Sequence, residues 1–302
     1  MATETGRFGT GAGDAALAGG IEPALEPEAA GRADASTALS RRVREVPRSG
    51  IRRFFDIAAT MDDVISLGVG EPDFDTPDHV IEAGVRSLRA KRTHYTSNFG
   101  TLELRRALAY HLERLYGLRY DPEREILITV GASEALVAAL LATCDPGDEV
   151  VLHEPSFVSY RPAIQFAGGV PVIVETRLAD DFALDPAAVA AAITPRTKGL
   201  FLGYPCNPTG AVLDDAAQDE LARLAVRHDL LVYSDEIYDR LVYAGHRHRP
   251  MSALPGMRER TILMGGFSKA YAMTGWRVGW MCAVPELLEG FVKVHQYAIM
   301  SA

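Results

Sequence analysis

The stretch EILITVGASEALVAALLAT, residues Glu125–Thr143, reads as an apolar strand over Glu125–Val130, a turn at Gly131 and an apolar helix over Ser133–Thr143. A strand that runs straight into a helix is the first half of a crossover unit, because parallel neighbours need a long connection between them. The alternation continues downstream. Candidate strands are Glu149–His153, Val170–Val174, Lys198–Tyr204, Leu230–Ser234, Thr261–Gly265 and Arg277–Ala283, and candidate helices are Asp214–His228 and Glu286–Ile299. Upstream, Leu104, Leu108, Leu112 and Leu115 form one apolar face of a helix over Thr101–Tyr116. Strands alternating with helices predict an α/β fold around a mostly parallel sheet. In such sheets ligands bind beyond the carboxyl ends of the strands.

Composition narrows the function classes. The 302-residue chain has a net charge of −9, against the basic excess of a nucleic-acid or membrane-surface binder. Cys144, Cys206 and Cys282 are widely spaced with no CxxC, which excludes a cysteine-rich zinc site and fits a reducing cytoplasm. No signal-peptide core and no membrane-length apolar run is present. Residues 1–40 are rich in Ala and Gly without a helical or strand period, and are expected to form a disordered tail. Six arginines between Arg41 and Arg53 suggest a solvated helix face or an arm packed on a partner subunit, in preference to a patch for an anionic ligand.

Five strand ends carry candidate chemistry. After the first strand, Gly131-Ala132-Ser133 places free amides at a helix N-terminus, where a phosphate is favoured; an N-cap role for Ser133 is the plainer alternative. Gly265-Gly266-Phe267-Ser268-Lys269 sets one of only four lysines directly after a strand, with Arg277 eight residues on, an arrangement suited to a Schiff base with a phosphate-bearing aldehyde. Lys91, Lys198 and Lys293 have ordinary surroundings. Asp235 ends an apolar strand with Tyr238 just beyond; it either keeps a pyridine nitrogen protonated or caps the next helix. Asn207, in Tyr204-Pro205-Cys206-Asn207-Pro208-Thr209-Gly210, offers an amide donor or starts a turn. Phe157, after the strand ending at His153, could stack on a flat ring.

With these residues in this order, the chain resembles the aspartate-aminotransferase-type, fold type I pyridoxal-phosphate family, aminotransferase class I/II, over about residues 40–302. Ser268-Lys269 through Gly275-Trp276-Arg277 carries the most specific part of the resemblance, with Asn207-Pro-Thr-Gly and Asp235-Glu-Ile-Tyr238 upstream. The resemblance implies a three-layer α/β/α fold on a mostly parallel seven-stranded sheet. It implies that Lys269 forms the Schiff base and carries the proton between substrate Cα and cofactor C4′. Asp235 would pair with the pyridine nitrogen, Asn207 and Tyr238 would bond the phenolic oxygen, and Phe157 would stack on the ring. Gly131, Ala132, Ser133, Ser268 and Arg277 would hold the phosphate. Tyr95 would reach the phosphate of the neighbouring subunit in a homodimer, and Gly70 would line the substrate carboxylate with Asn207. The implied reaction moves an amino group between an α-amino acid, such as aspartate or an aromatic one, and a 2-oxo acid.

The implied domains are the tail 1–40, an arm and part of a small domain 41–77, and a large cofactor-binding domain 78–302. Family members continue on the order of a hundred residues further, about one small domain. The small domain is therefore expected to be incomplete, and the arginine that grips the substrate α-carboxylate to lie outside this chain. The alternatives are a carbon–sulfur β-lyase using the same cofactor and a truncated, non-catalytic cofactor-binding fragment. Other motifs fail: Gly68-Val69-Gly70-Glu71-Pro72 lacks the third glycine of a dinucleotide fingerprint, there is no Walker loop, and His246 and His248 read as surface histidines, not metal ligands.

Overall fold

The computed structural model describes residues 34–47, 57, 60, 61, 63–65 and 70–302. The chain divides into two compact units, Met1–Ser40 and Arg41–Ala302. Most of the first lies outside the described residues; its described part holds one exposed 3-10 turn, Ala35–Ala38, capped by the Asp34 side chain. The arginine-rich stretch is described only to residue 47, where α1 (Arg41–Glu45) is fully exposed.

In the second unit the helices are α2 (Asp78–Arg89), α3 (Leu102–Tyr116), α4 (Gly131–Thr143), α5 (Tyr160–Phe166), α6 (Pro186–Ala192), α7 (Asp215–Arg227) and α8 (Pro285–Ala298). The strands are β1 (Ile126–Thr129), β2 (Glu149–Glu154), β3 (Val170–Glu175), β4 (Thr197–Gly203), β5 (Leu231–Asp235), β6 (Thr261–Gly266) and β7 (Gly279–Cys282). They form one seven-stranded sheet in the order β1-β7-β6-β5-β4-β2-β3, parallel except for β7, which is antiparallel to both neighbours. All seven predicted strands and all four predicted helices are present. Three helices were not anticipated: α2, of twelve residues, and the short α5 and α6, each seven residues, where fewer than two full turns leave little periodicity to read.

Alternation along the strands explains the layers. Val150 and Leu152 face one core with Phe201, Tyr233, Ile262, Met264 and Met281, covered by Leu136 and Leu140 of α4, Ile164 of α5 and Phe291 of α8. Their neighbours Val151, Leu200, Leu202 and Val232 face the other way, beneath Val189 of α6 and Leu221 and Leu224 of α7. At the β1–β7 end of that second face, Leu108 and Leu112 of α3 pack on Ile126, Ile128, Leu263 and Trp280. A sheet apolar on both faces needs helices on both, and this gives the three layers.

Topology sets the position of the site. β1 and the parallel strands end at one edge of the sheet. Because β7 runs the opposite way, its amino end, and Arg277 just before it, arrives at that same edge. The strand expected from Arg277 is shorter than predicted: it starts at Gly279, and Arg277 adopts a left-handed conformation with φ 57° that ends the preceding 3-10 turn.

Candidate active site

At the carboxyl edge a cavity of about 180 Å³ gathers residues from five chain segments. Ala132, Ser133, Phe157, Asn207, Asp235, Tyr238, Ser268, Lys269 and Arg277, all singled out in the sequence, line it. So do Tyr160 and Thr274, which were not.

The α4 end is built by close backbone approach. The helix starts at Gly131, with φ +76°, and Val130 is its N-cap, so Ser133 lies in the first turn and does not cap it. Glu134 Oε2 instead accepts the Val130 N–H at 2.5 Å. A Cβ on Gly279 would lie 2.4 Å from the Gly131 carbonyl carbon, and one on Gly131 would lie 2.6 Å from an Arg277 guanidinium nitrogen. Two glycines therefore allow β7 and Arg277 to close on a helix N-terminus, whose first amides lack partners within the helix.

Asp235, the last residue of β5, is buried at 6% exposure. It accepts hydrogen bonds from the Tyr160 hydroxyl at 2.8 Å and the Ile237 N–H at 3.2 Å. Burial raises its pKa to about 6, against the lowering effect of those two donors. Tyr160 reaches it over Gly203, the β4 partner of Asp235, where a Cβ would sit 2.4 Å from the Tyr160 oxygen. The following acid does not share the site. Glu236 takes hydrogen bonds from Ser234 Oγ (2.8 Å) and the Met251 N–H (3.1 Å), and pairs with His248 Nε2 at 2.6 Å. The surface reading of His248 is thereby corrected: its side chain is 9% exposed, and although burial alone would lower its pKa, Glu236 outweighs that and raises it. His246, two residues earlier, is exposed.

Asn207 Nδ2 donates to the Tyr238 hydroxyl at 3.4 Å, and burial raises the Tyr238 pKa, with Asp235 adding to it. Lys269 follows β6 in a turn; its Nζ donates to the Gly70 carbonyl and lies 5.9 Å from the Tyr238 ring centre. Burial lowers the Lys269 pKa and Arg277 lowers it further, partly opposed by Glu71. Phe157 meets Tyr160 edge-on at 5.6 Å. Tyr95 does not line the cavity and is 82% exposed. Among the described residues, no group of three His, Cys, Asp or Glu side chains could hold a metal ion, and no helix is long and apolar enough to cross a membrane.

One cavity thus presents an amine made less basic, a buried acid, a hydrogen-bonded amide–phenol pair, an aromatic ring and an amide turn beside an arginine. The family model for aminotransferase class I and II matches residues 62–302. The chain belongs to the class I and II aminotransferases.

Among relatives of this aminotransferase, an aspartate aminotransferase of Pyrococcus abyssi is 46% identical over 260 residues, covering 86% of this chain and 67% of that one. An aspartate/prephenate aminotransferase of Thermus thermophilus is 43% identical over 267 residues, covering 88% of this chain and 66% of that one. The solved structure of an aromatic aminotransferase from Pyrococcus horikoshii superposes with a TM-score of 0.78 at 44% identity, over 82% of this chain and 66% of that one. The chain therefore spans about two thirds of these relatives' length. The family uses pyridoxal phosphate, and the cavity lining fits it: free helix amides and a guanidinium suit a phosphate, and a buried carboxyl suits a ring nitrogen.

Proposed function

We propose that this cavity holds the cofactor and substrate of an aminotransferase acting on aspartate, an aromatic amino acid or a similar one with a 2-oxo acid. The observation carrying the reading is that Lys269 and the buried Asp235 open into one cavity beside the α4 turn. When bound, pyridoxal phosphate supplies a ring that takes up negative charge from the amino acid's α carbon.

The chain's own residues divide the remaining work. Lys269 holds the cofactor and moves the proton at the α carbon, and its burial makes the amine less basic than that of a free lysine. Asp235 holds a proton at the ring nitrogen. Asn207 and Tyr238 orient the phenolic oxygen, and Phe157 packs on the ring face. Ala132, Ser133, Ser268 and Arg277 hold the phosphate, with Gly131 shaping the turn. Gly70 lies on the substrate-carboxylate side, against Lys269.

Tyr95 is read as a contribution to the partner's site in a homodimer, and residues 41–77 as an arm and part of a small domain beside a large domain from residue 78. A cytoplasmic location accords with three free, buried cysteines. The test is amino transfer from aspartate or tyrosine to 2-oxoglutarate. Lys269→Ala should cut the rate about a thousandfold, within the range of a positioned proton carrier; an unchanged rate would remove Lys269 from its role.

A further inference from the structure

The Glu134 side chain has a second partner with no part in the site described above. His295, on α8, is completely buried, and its Nδ1 lies 2.6 Å from Glu134 Oε1. The other carboxylate oxygen holds the Val130 N–H. His295 Nε2 is buried without a partner, so Glu134 is the one hydrogen-bonding contact the ring makes. The Glu134 carboxylate thus joins the residue that enters the amide turn to α8, a helix packed against α4.

Position makes this pair consequential. Glu134 sits in the first turn of α4, where a carboxylate interacts favourably with the helix dipole and competes with any other anion brought to the same end. One oxygen is taken by His295 and the other by the Val130 amide, so the partners of both oxygens are groups other than the Ala132 and Ser133 amides. Gly279 and Arg277 also lie against this turn, at Gly131 and Ala132. We propose that the Glu134–His295 pair is a buried strut that holds the α4 turn in its phosphate-accepting shape and turns the Glu134 charge away from the phosphate, making His295 a positioning residue for cofactor binding. The inference rests on the assignment of the cofactor phosphate to this turn.

The test compares pyridoxal phosphate with pyridoxal, which shares the aldehyde and ring but lacks the phosphate, by absorbance titration of cofactor-free protein. Glu134→Ala and His295→Gln should each weaken pyridoxal phosphate about tenfold, the size of one charge-assisted hydrogen bond, and leave pyridoxal binding unchanged. Glu134→Gln keeps an acceptor for the Val130 N–H and should recover most of the loss; if the alanine variant does not fold, His295→Gln carries the comparison. Equal weakening of both ligands, or of neither, would overturn the proposal by reducing the pair to core packing. Arg277→Ala separates the two levels. If it too leaves the ratio of the two affinities unchanged, the phosphate assignment itself fails; if it lowers the ratio while the strut variants do not, only the strut fails.

Discussion

Asp235 is placed at a cost to the fold that its proposed role requires. Its pKa in the folded protein is about 6 against 3.8 for a free side chain, so between those values the folded state binds more protons than the unfolded one. Stability of the cofactor-free protein therefore falls as pH rises from about 4 to 6, and by neutral pH the charged carboxyl has cost about 3 kcal/mol. Asp235→Asn should raise the thermal midpoint at pH 7.5, change it little at pH 4, and abolish transamination. A midpoint that drops at both pH values would contradict this. Tyr160 limits the cost by donating to the carboxylate, so Tyr160→Phe should push the Asp235 pKa higher still. The acid limb of cofactor binding, followed by absorbance across pH, should then move to higher pH. Asp235, Asn207 and Lys269 were legible because each lies at or within a few residues of the end of an apolar strand. Tyr160 was not, because its role depends on Gly203 in a neighbouring strand leaving room for its hydroxyl. His248 was misread for a similar reason: its acid lies twelve residues away, across a turn.

At the scale of elements, the edge is assembled by β7, the one antiparallel strand. The sequence marks β7 as apolar, but nothing local to it states direction; that follows from its pairing between β1 and β6. Its first residue, Gly279, is opposite Thr129 on one side and Gly266 on the other, against the α4 turn. Gly279→Ala would drive a methyl into the Gly131 carbonyl, and backbone cannot yield as a flexible side chain can. We expect a loss of about 1–3 kcal/mol, typical of overpacking, read by denaturant unfolding, together with weaker binding of pyridoxal phosphate. Unaltered stability and binding would show that the turn has slack that the geometry denies. Helix α3 was readable from its apolar face and α4 from its continuous apolar run after a strand, whereas α5 and α6 hold their places through a few buried residues such as Ile164 and Val189.

For the whole molecule, the α/β class was legible because strands alternate with helices along the chain, and the three layers were implied by the family resemblance, while assembly is not written in any one element. Tyr95 is exposed and outside the cavity of its own chain, as a residue lent to a partner would be. If the proposed homodimer shares its sites, a mixture of Lys269→Ala and Tyr95→Ala chains, refolded together, should transaminate faster than either alone, since one site of each hybrid dimer would be intact; no gain over the separate variants would exclude shared sites.

The central claim, that Lys269 among four lysines holds the cofactor, has a more direct test. The protein is incubated with pyridoxal phosphate, reduced with borohydride, digested and mapped by mass spectrometry. A phosphopyridoxyl group on the Lys269 peptide alone is the result expected; its presence on Lys91, Lys198 or Lys293 in place of Lys269, or on none of the four, would contradict the account.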